Sequence, residues 1–442
     1  MTPFKKLINS LVQQGLQGDG FQPRLNFIVI SPKNDQGAFF LNSSFRDPSE
    51  EFVFRLCRHS FLSLWSYGNP RRVGGDKELC DILVVCEPHL VIFSVKNIRL
   101  DDMVDPQVAL ERWWKKAVRE SAKQLYGAER NMARAKAITK SDGSEGLPLP
   151  DLKDRKVHRV SVSLGAQNRL SISSGDFGKG FVHVWDEGFV SIVLKELDTI
   201  TDFIEYLEEK EKLATQYPGI IVEGGERNLL AIYIFNGRRF PQEPPPIHLH
   251  GNYWKELESN VHYQQRIEAD KSSYLWDRLI EHLTTFVLTD KMEFGKTLSE
   301  NENVLRYLAR ENRFARRLLS DAFKEFLEIA EACEVRARMT ASSSGVGYVF
   351  FAPPPEYERE LRIAELGNRC FVARNELSNC MTIVGIGTNV KRATQGFAID
   401  LYLLSVPVWN DKQRRHAEQM KAALEYFKAP RVKIDQTDEY PQ

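Results

Sequence analysis

Two apolar runs separated by three residues constrain this chain more tightly than any other feature in it. The first is Leu79-Cys80-Asp81-Ile82-Leu83-Val84-Val85-Cys86, the second Leu90-Val91-Ile92-Phe93-Ser94-Val95-Lys96, and Glu87-Pro88-His89 joins them. Short, nearly continuous hydrophobic segments around a proline-containing turn read as two central strands of a hairpin, buried on both faces. In an antiparallel pair turning at Glu87 and Pro88, Asp81 falls beside Ser94, and directly opposed side chains point to the same face. Lys96, two residues on, shares that face. Burying either charge without a partner costs several kcal/mol. An aspartate and a lysine in such strands therefore form either a structural ion pair or a site that uses both.

The flanking segments give the order helix, strands, helix, strand. Asp47-Pro48-Ser49-Glu50-Glu51 combines a polar cap, a first-turn proline and two carboxylates near the positive end of the dipole, which starts a helix running to about Leu64. Residues 65–75, rich in Gly, Pro and Arg, read as a loop or an irregular strand. A long helix is expected from Pro106 to Ala137, a loop over 139–151 and a strand over Lys156–Leu164. An apolar stretch from Gly180 then leads to an amphipathic helix carrying Leu197, Ile200, Phe203, Ile204 and Leu207. Before these elements, a short helix and a strand over Leu25–Ile30 are expected.

Farther on, Leu229–Phe235 reads as a strand and the proline-rich Gln242–Pro246 as a linker. Tyr274–Leu288 and Val304–Val335 read as helical. The last hundred or so residues hold expected strands at 346–351, 370–374, 381–386 and 396–406 and a closing helix at 412–427. The expected organisation is α/β and α+β. Residues 1–240 carry the helix, three-strand, helix, strand core with additions, 241–335 a mostly helical connection, and 336–442 a C-terminal α+β domain.

Lys plus Arg and Asp plus Glu both number 60, so any binding to a polyanion has to come from a local basic patch. Six cysteines without a CxxC pair suit a reducing cytosol better than a disulfide framework or a zinc site. No run of 18 or more apolar residues occurs, and the first helix is interrupted by polar residues. The expectation is a cytoplasmic chain with no membrane partner.

The order of elements together with Asp81 and Ser94-Val95-Lys96 resembles the PD-(D/E)xK, or restriction-endonuclease-like, superfamily over about residues 45–165. The resemblance implies that Asp81 binds the metal, that Lys96 is the active-site lysine and that Glu51 matches the glutamate many members carry on the first helix. It also implies Mg²⁺ or Mn²⁺ as cofactor, since carboxylates suit hard cations and such an ion polarises phosphate and acidifies water. The position two before the lysine, acidic in the family, is Ser94 here. Glu78, three residues before Asp81, and Glu51 are the candidates to supply the missing carboxylate.

Arg112, Lys116, Arg119, Lys123, Arg130 and Arg134 fall at i, i+4, i+7, i+11, i+18 and i+22, one stripe of a helix. Leu110, Trp114, Ala117, Ser121, Leu125, Ala128 and Met132 repeat that spacing on a second face, expected against the sheet. The basic stripe is what tracking of a phosphate backbone requires, or else a solvated face paired with Glu111, Glu120 and Glu129. Gln124 resembles a polar helix residue that assists some members. His248-Leu249-His250 offers two imidazoles without a clear third ligand, and Gly175-Asp-Phe-Gly-Lys-Gly180 lacks the ending of a phosphate-binding loop and reads as a turn.

The expected function is a metal-dependent endonuclease hydrolysing DNA, of a kind suited to prokaryotic genome defence. Its C-terminal half would serve substrate choice, activation or assembly, as a homo-oligomer or with a partner protein. A catalytically silent nuclease-like module that binds nucleic acid or protein is the alternative that Ser94 favours. RNA stands beside DNA as substrate, because phosphate contacts serve both polymers.

Overall fold

A computed structural model of the chain describes residues 45, 47–101, 103–166, 174–217, 221–241, 248–249, 251–288, 297–332, 336–354, 356–388, 399–427 and 438–440. The expected helix and strand before residue 31, the linker Gln242–Pro246 and His250 lie outside them. Two compact units divide the chain, Phe39–Gln264 and a second containing Gln265–Gln442. The boundary splits the segment expected as a helical connection. Among the described residues no helix is long and apolar enough to cross a membrane.

In the first unit, helix α1 (Pro48–Phe61) begins as its sequence dictates: Asp47 accepts a hydrogen bond from the Ser49 amide at 2.8 Å, with proline in the first turn. Strands β1 (Ser66–Gly68), β2 (Ile82–Cys86) and β3 (His89–Asn97) follow. Helix α2 (Pro106–Trp114) runs through a π-turn (Lys115–Arg119) into α3 (Glu120–Met132). A small hairpin, β4 (Ala137–Thr139) and β5 (Glu145–Pro148), occupies the expected loop. Then come β6 (Lys156–Leu164), β7 (Gly175–Asp176), β8 (Phe181–Trp185), α4 (Glu187–Glu196) and α5 (Ile200–Gln216). The main sheet has the order β1-β2-β3-β6-β8-β7, with β1–β2, β2–β3 and β8–β7 antiparallel and β3, β6 and β8 mutually parallel.

Helices cover both faces, which is why β2 is buried throughout and β3 nearly so. On one side, α3 lies on β3 and β6 and the π-turn on β6, where the Ser163 hydroxyl donates to the Ala117 carbonyl at 3.2 Å. On the other, Phe93 of β3 packs with Trp185 and Phe203, ring centroids 6.5 and 6.4 Å away, beneath α1, α4 and α5.

The long helix departs from expectation in its phase. Ala109 and Trp113 are buried in place of the expected Leu110 and Trp114, followed by Ala117, Ser121, Leu125, Ala128 and Met132. Five buried positions at steps of four residues need a turn wider than the α-helical 3.6, and the π-turn supplies it.

Leu229–Phe235, expected as a strand, is helical in α6 (Glu226–Phe235), since a short apolar run carries no periodicity that separates a strand from a buried helix. The unit closes with β9 (Ile221–Val222) paired to β10 (His248–Leu249), with α7 (Tyr253–Ser259) and with the start of α8 (Val261–Asp270).

The second unit joins helices α9 (Tyr274–Leu288), α10 (Leu298–Ala309) and α11 (Arg313–Glu331) to a four-stranded sheet, β11 (Ala337–Ala341), β12 (Val346–Phe351), β13 (Thr382–Thr388) and β14 (Ile399–Ser405). Helix α12 (Arg359–Glu376) crosses between β12 and β13, which run parallel, and α13 (Asp411–Leu424) follows β14. Two expectations change here. Cys370–Arg374 is part of α12 rather than a strand. The long helix from Val304 is broken at Asn312, which caps α11 by accepting from the Ala315 amide at 2.8 Å.

Asp277, 1% exposed, holds both Arg316, at 2.7 Å, and Arg313, at 3.0 Å, between α9 and α11. Removing it takes the shared carboxylate from two buried guanidiniums, so Asp277→Ala should destabilise this unit by about 3–5 kcal/mol. Urea unfolding followed by far-UV circular dichroism checks this; a shift under about 1 kcal/mol would mean that the pair is solvated or readily replaced.

Candidate active site

The β2–β3 register aligns Ile82 with Phe93, which sets Asp81, just ahead of β2, against Ser94. Asp81 is 7% exposed, and its Oδ2 accepts the Val95 amide at 2.5 Å while lying 4.0 Å from Lys96 Nζ. The lysine keeps about a quarter of its side chain in solvent, which leaves its ammonium reachable. Ser94 is buried, and its hydroxyl donates to Gln124 Oε1 at 3.0 Å, so it points into the interface with α3. Gln124 thereby joins the cluster as the residue behind Ser94.

Two further carboxyls meet Asp81. Glu78 sits on an irregular ladder that extends β1: Leu79 donates to the Pro70 carbonyl at 2.7 Å, Asn69 donates to the Asp81 carbonyl at 2.9 Å, and Arg71 bridges Glu78. This brings the Glu78 carboxyl into hydrogen-bond contact with that of Asp81. The second is Glu50. The first turn of α1 is tied to the end of β3 by Asn97 Nδ2 donating to Ser49 Oγ at 2.8 Å, and Glu50 feels the charges of both Asp81 and Lys96. Glu51, the expected helix glutamate, instead pairs with Arg55 one turn along and is about half exposed. One helical position rotates the side chain by about 100°, and the sequence, with adjacent glutamates, offers nothing to choose between them.

Loss of hydration, then the neighbouring carboxylates, push Glu50 up to about 7. Glu78 is likewise pushed up to about 7, by lost hydration on the side turned to Asp81 and by that contact, although its other side is open to water. Three carboxyls around one ammonium are short of positive charge, and hard oxygen donors of this kind suit Mg²⁺ or Mn²⁺. The carboxyl oxygens of Glu50, Glu78 and Asp81 do not all come within 4.8 Å of one another, so as placed they are not a closed three-ligand set.

Arg112, Lys116, Arg119, Lys123, Arg130 and Arg134 are all exposed. Arg119, Lys123 and Arg130, with Tyr126, form one wall of a groove of about 650 Å³ whose other wall is the Phe177-Gly178-Lys179 tip of the β7–β8 hairpin. Tyr126 fixes the two walls together, its phenol donating to the Gly180 carbonyl at 2.6 Å and accepting the Phe177 amide at 3.2 Å. The hairpin tip is shaped by Asp176, which accepts the Gly178 and Gly180 amides at 2.6 and 3.0 Å, both glycines at φ of +105°. Lys123 pairs with Glu120 at 2.7 Å, whereas Arg119, Arg130 and Lys179 make no ion pair among the described residues. The glycine-rich segment is thus a turn, as its sequence indicates, but one that carries a cation and an aromatic ring to the groove. Comparison of the chain with family models, with curated proteins and with solved structures finds no match.

The raised carboxyls have a sign that can be measured. Without a divalent ion the folded protein holds protons that the unfolded chain releases above about pH 4.5, so this stability is full below that pH and lost as pH rises to about 7. In EDTA, a Glu50→Gln/Glu78→Gln double variant should match the wild type at pH 4.5 and melt at a higher temperature at pH 8. Added Mg²⁺ should shrink or reverse the difference at pH 8. Equal melting temperatures at both pH values in EDTA would show that the carboxyls do not repel.

Proposed function

We propose that residues 45–217 form a PD-(D/E)xK-type nuclease core that hydrolyses DNA phosphodiester bonds with Mg²⁺ or Mn²⁺. The observation that carries this reading is the Asp81–Lys96 juxtaposition on one face of an antiparallel strand pair, joined by Glu78 and Glu50 and flanked by helices on both faces. When bound, the ion supplies Lewis acidity toward phosphate and water. Asp81 and Glu78 are the residues to hold it, and the Asp81 carboxylate is kept in place by the Val95 amide. Glu78 then takes the part that an acidic residue at position 94 has in the family. Lys96 offers its ammonium to the charge that develops on the phosphate. Glu50, which feels the charges of both Asp81 and Lys96, is the remaining carboxyl available to accept a proton.

The groove supports a nucleic-acid substrate. Its four cations suit a phosphate backbone, and Tyr126 and Phe177 offer rings to a base. Gln124, next to Lys123 on α3, bonds Ser94 two residues from Lys96, so one helix connects the groove to the carboxyl cluster.

Ser94 favours a second reading, a module that binds nucleic acid without cutting it, because its hydroxyl is turned away into the α3 interface. Incubation of plasmid, linear DNA and single-stranded RNA with the full chain in Mg²⁺, Mn²⁺ or EDTA separates the readings. Metal-dependent cleavage of DNA is expected; binding without cleavage in any metal would support the second.

Asp81→Ala and Lys96→Ala should each abolish cleavage while the melting temperature stays within a few degrees of the wild type. Glu50→Gln should reduce the rate far more than Glu51→Gln. A folded Asp81→Ala protein that cuts at full rate would end the assignment.

Changing Arg119, Lys123, Arg130 and Lys179 together to Gln should lower the slope of log affinity against log salt by roughly 0.9 for each phosphate no longer neutralised. Saturating DNA should then restore much of the cleavage rate. An unaltered slope would mean that DNA is held elsewhere.

A further inference from the structure

At the other end of β3, on the face turned to α5, three strands place histidines side by side: His89 on β3, His158 on β6 and His183 on β8. Parallel register sets Val91 against His158 and Val160 against His183, so these side chains share the face of Phe93 rather than that of Ser94. Helix α5 lays Glu208 and Glu211, three residues apart, over them. His89 Nδ1 and His158 Nε2 lie 3.1 Å apart with their rings 25° from parallel. A carboxylate oxygen of Glu208 completes a set whose ligand atoms all fall within 4.8 Å of one another.

We propose that His89, His158 and Glu208 form a zinc site, independent of the carboxyl cluster, that pins α5 to the sheet. Two imidazole nitrogens each about 2.0–2.1 Å from a tetrahedral Zn²⁺ stand roughly 3.3 Å apart, close to the separation found here. Two histidines and one carboxylate, with a fourth position left to water, are a known zinc ligand type. Behind His158 a carboxylate stands near, short of hydrogen-bond contact. The His158 Nδ1 is buried without a hydrogen-bond partner, and Glu211 Oε1 lies 4.0 Å from it while holding His183 Nε2 at 3.0 Å. A carboxylate behind the non-ligating nitrogen orients the ring and raises its basicity. Lys156 holds Glu208 at 3.4 Å, but its side chain is more than half exposed, and displacing a solvated pair of this kind costs about 0–1 kcal/mol. Seven residues along β3 separate His89 from Lys96, about 23 Å at strand rise, and the two point to opposite faces. An ion here therefore has no part in the chemistry proposed at Asp81.

The alternative is a plain hydrogen bond between two neutral imidazoles, and metal binding decides between them. Full-length protein stripped with EDTA, loaded with Zn²⁺ and passed through a desalting column should retain one equivalent by elemental analysis. Co²⁺ in its place should give the visible absorption of a tetrahedral site. His89→Gln and Glu208→Gln, both at partly exposed positions that spare the core, should each abolish retention. Glu211→Gln should weaken Zn²⁺ binding by about 10- to 100-fold, and Asp81→Asn should leave it unchanged. No retained zinc, retention that survives both His89→Gln and Glu208→Gln, or retention lost in Asp81→Asn would each overturn the proposal. The last would place the ion among the carboxyls while leaving the nuclease reading intact.

Discussion

The first unit is organised around one buried carboxylate. Asp81 sits at the mouth of a strand pair buried on both faces, where a carboxylate without partners would take up a proton. It is held by the Val95 amide and by Lys96, both from the partner strand, so the residue that most needs compensation obtains it from the register of the hairpin itself. A slip of one residue would turn Ser94 and Lys96 to the opposite face and strand the charge. Register, burial and site geometry are thus one constraint, and Glu78 and Glu50 gather where that constraint leaves room for negative charge.

Much of this is legible in the sequence, because the signals are local. The pairing of Asp81 with Ser94 follows from the turn at Glu87-Pro88, and β6 begins and ends where its alternation does. What is not legible depends on angles that sequence periodicity resolves poorly. Glu50 and Glu51 are chemically identical neighbours, and only the docking of α1 against β3 selects the first. A regular 3.6-residue period carried along the long helix puts its buried face one residue off ahead of the π-turn. Lys179 and the histidine cluster escape sequence reasoning for a different reason: their partners lie tens of residues away, on elements whose pairing no short motif announces.

The sheet separates two chemistries. Its α3 side carries hydroxyls, Ser94, Ser161 and Ser163, that bond to one another or to the covering helix. Its α5 side carries aromatic rings and, at one end, imidazoles. Strands buried on both faces usually read as uniform hydrocarbon. Here the polar groups on one side lead toward the carboxyl cluster, and those on the other lie at the far end of the same strand.

The groove beside α3 has walls of different origin, a long helix on one side and a hairpin tip on the other, and the Tyr126 phenol hydrogen-bonds across them. Its width is held by the Tyr126 phenol together with the Trp114–Phe177 ring contact and with Arg159, which bonds the Phe181 carbonyl and lies over the Tyr126 ring. A groove built this way can change its calibre through a few side chains that carry little of the core. The scaffold that holds Asp81 and Lys96 would register nothing of the change.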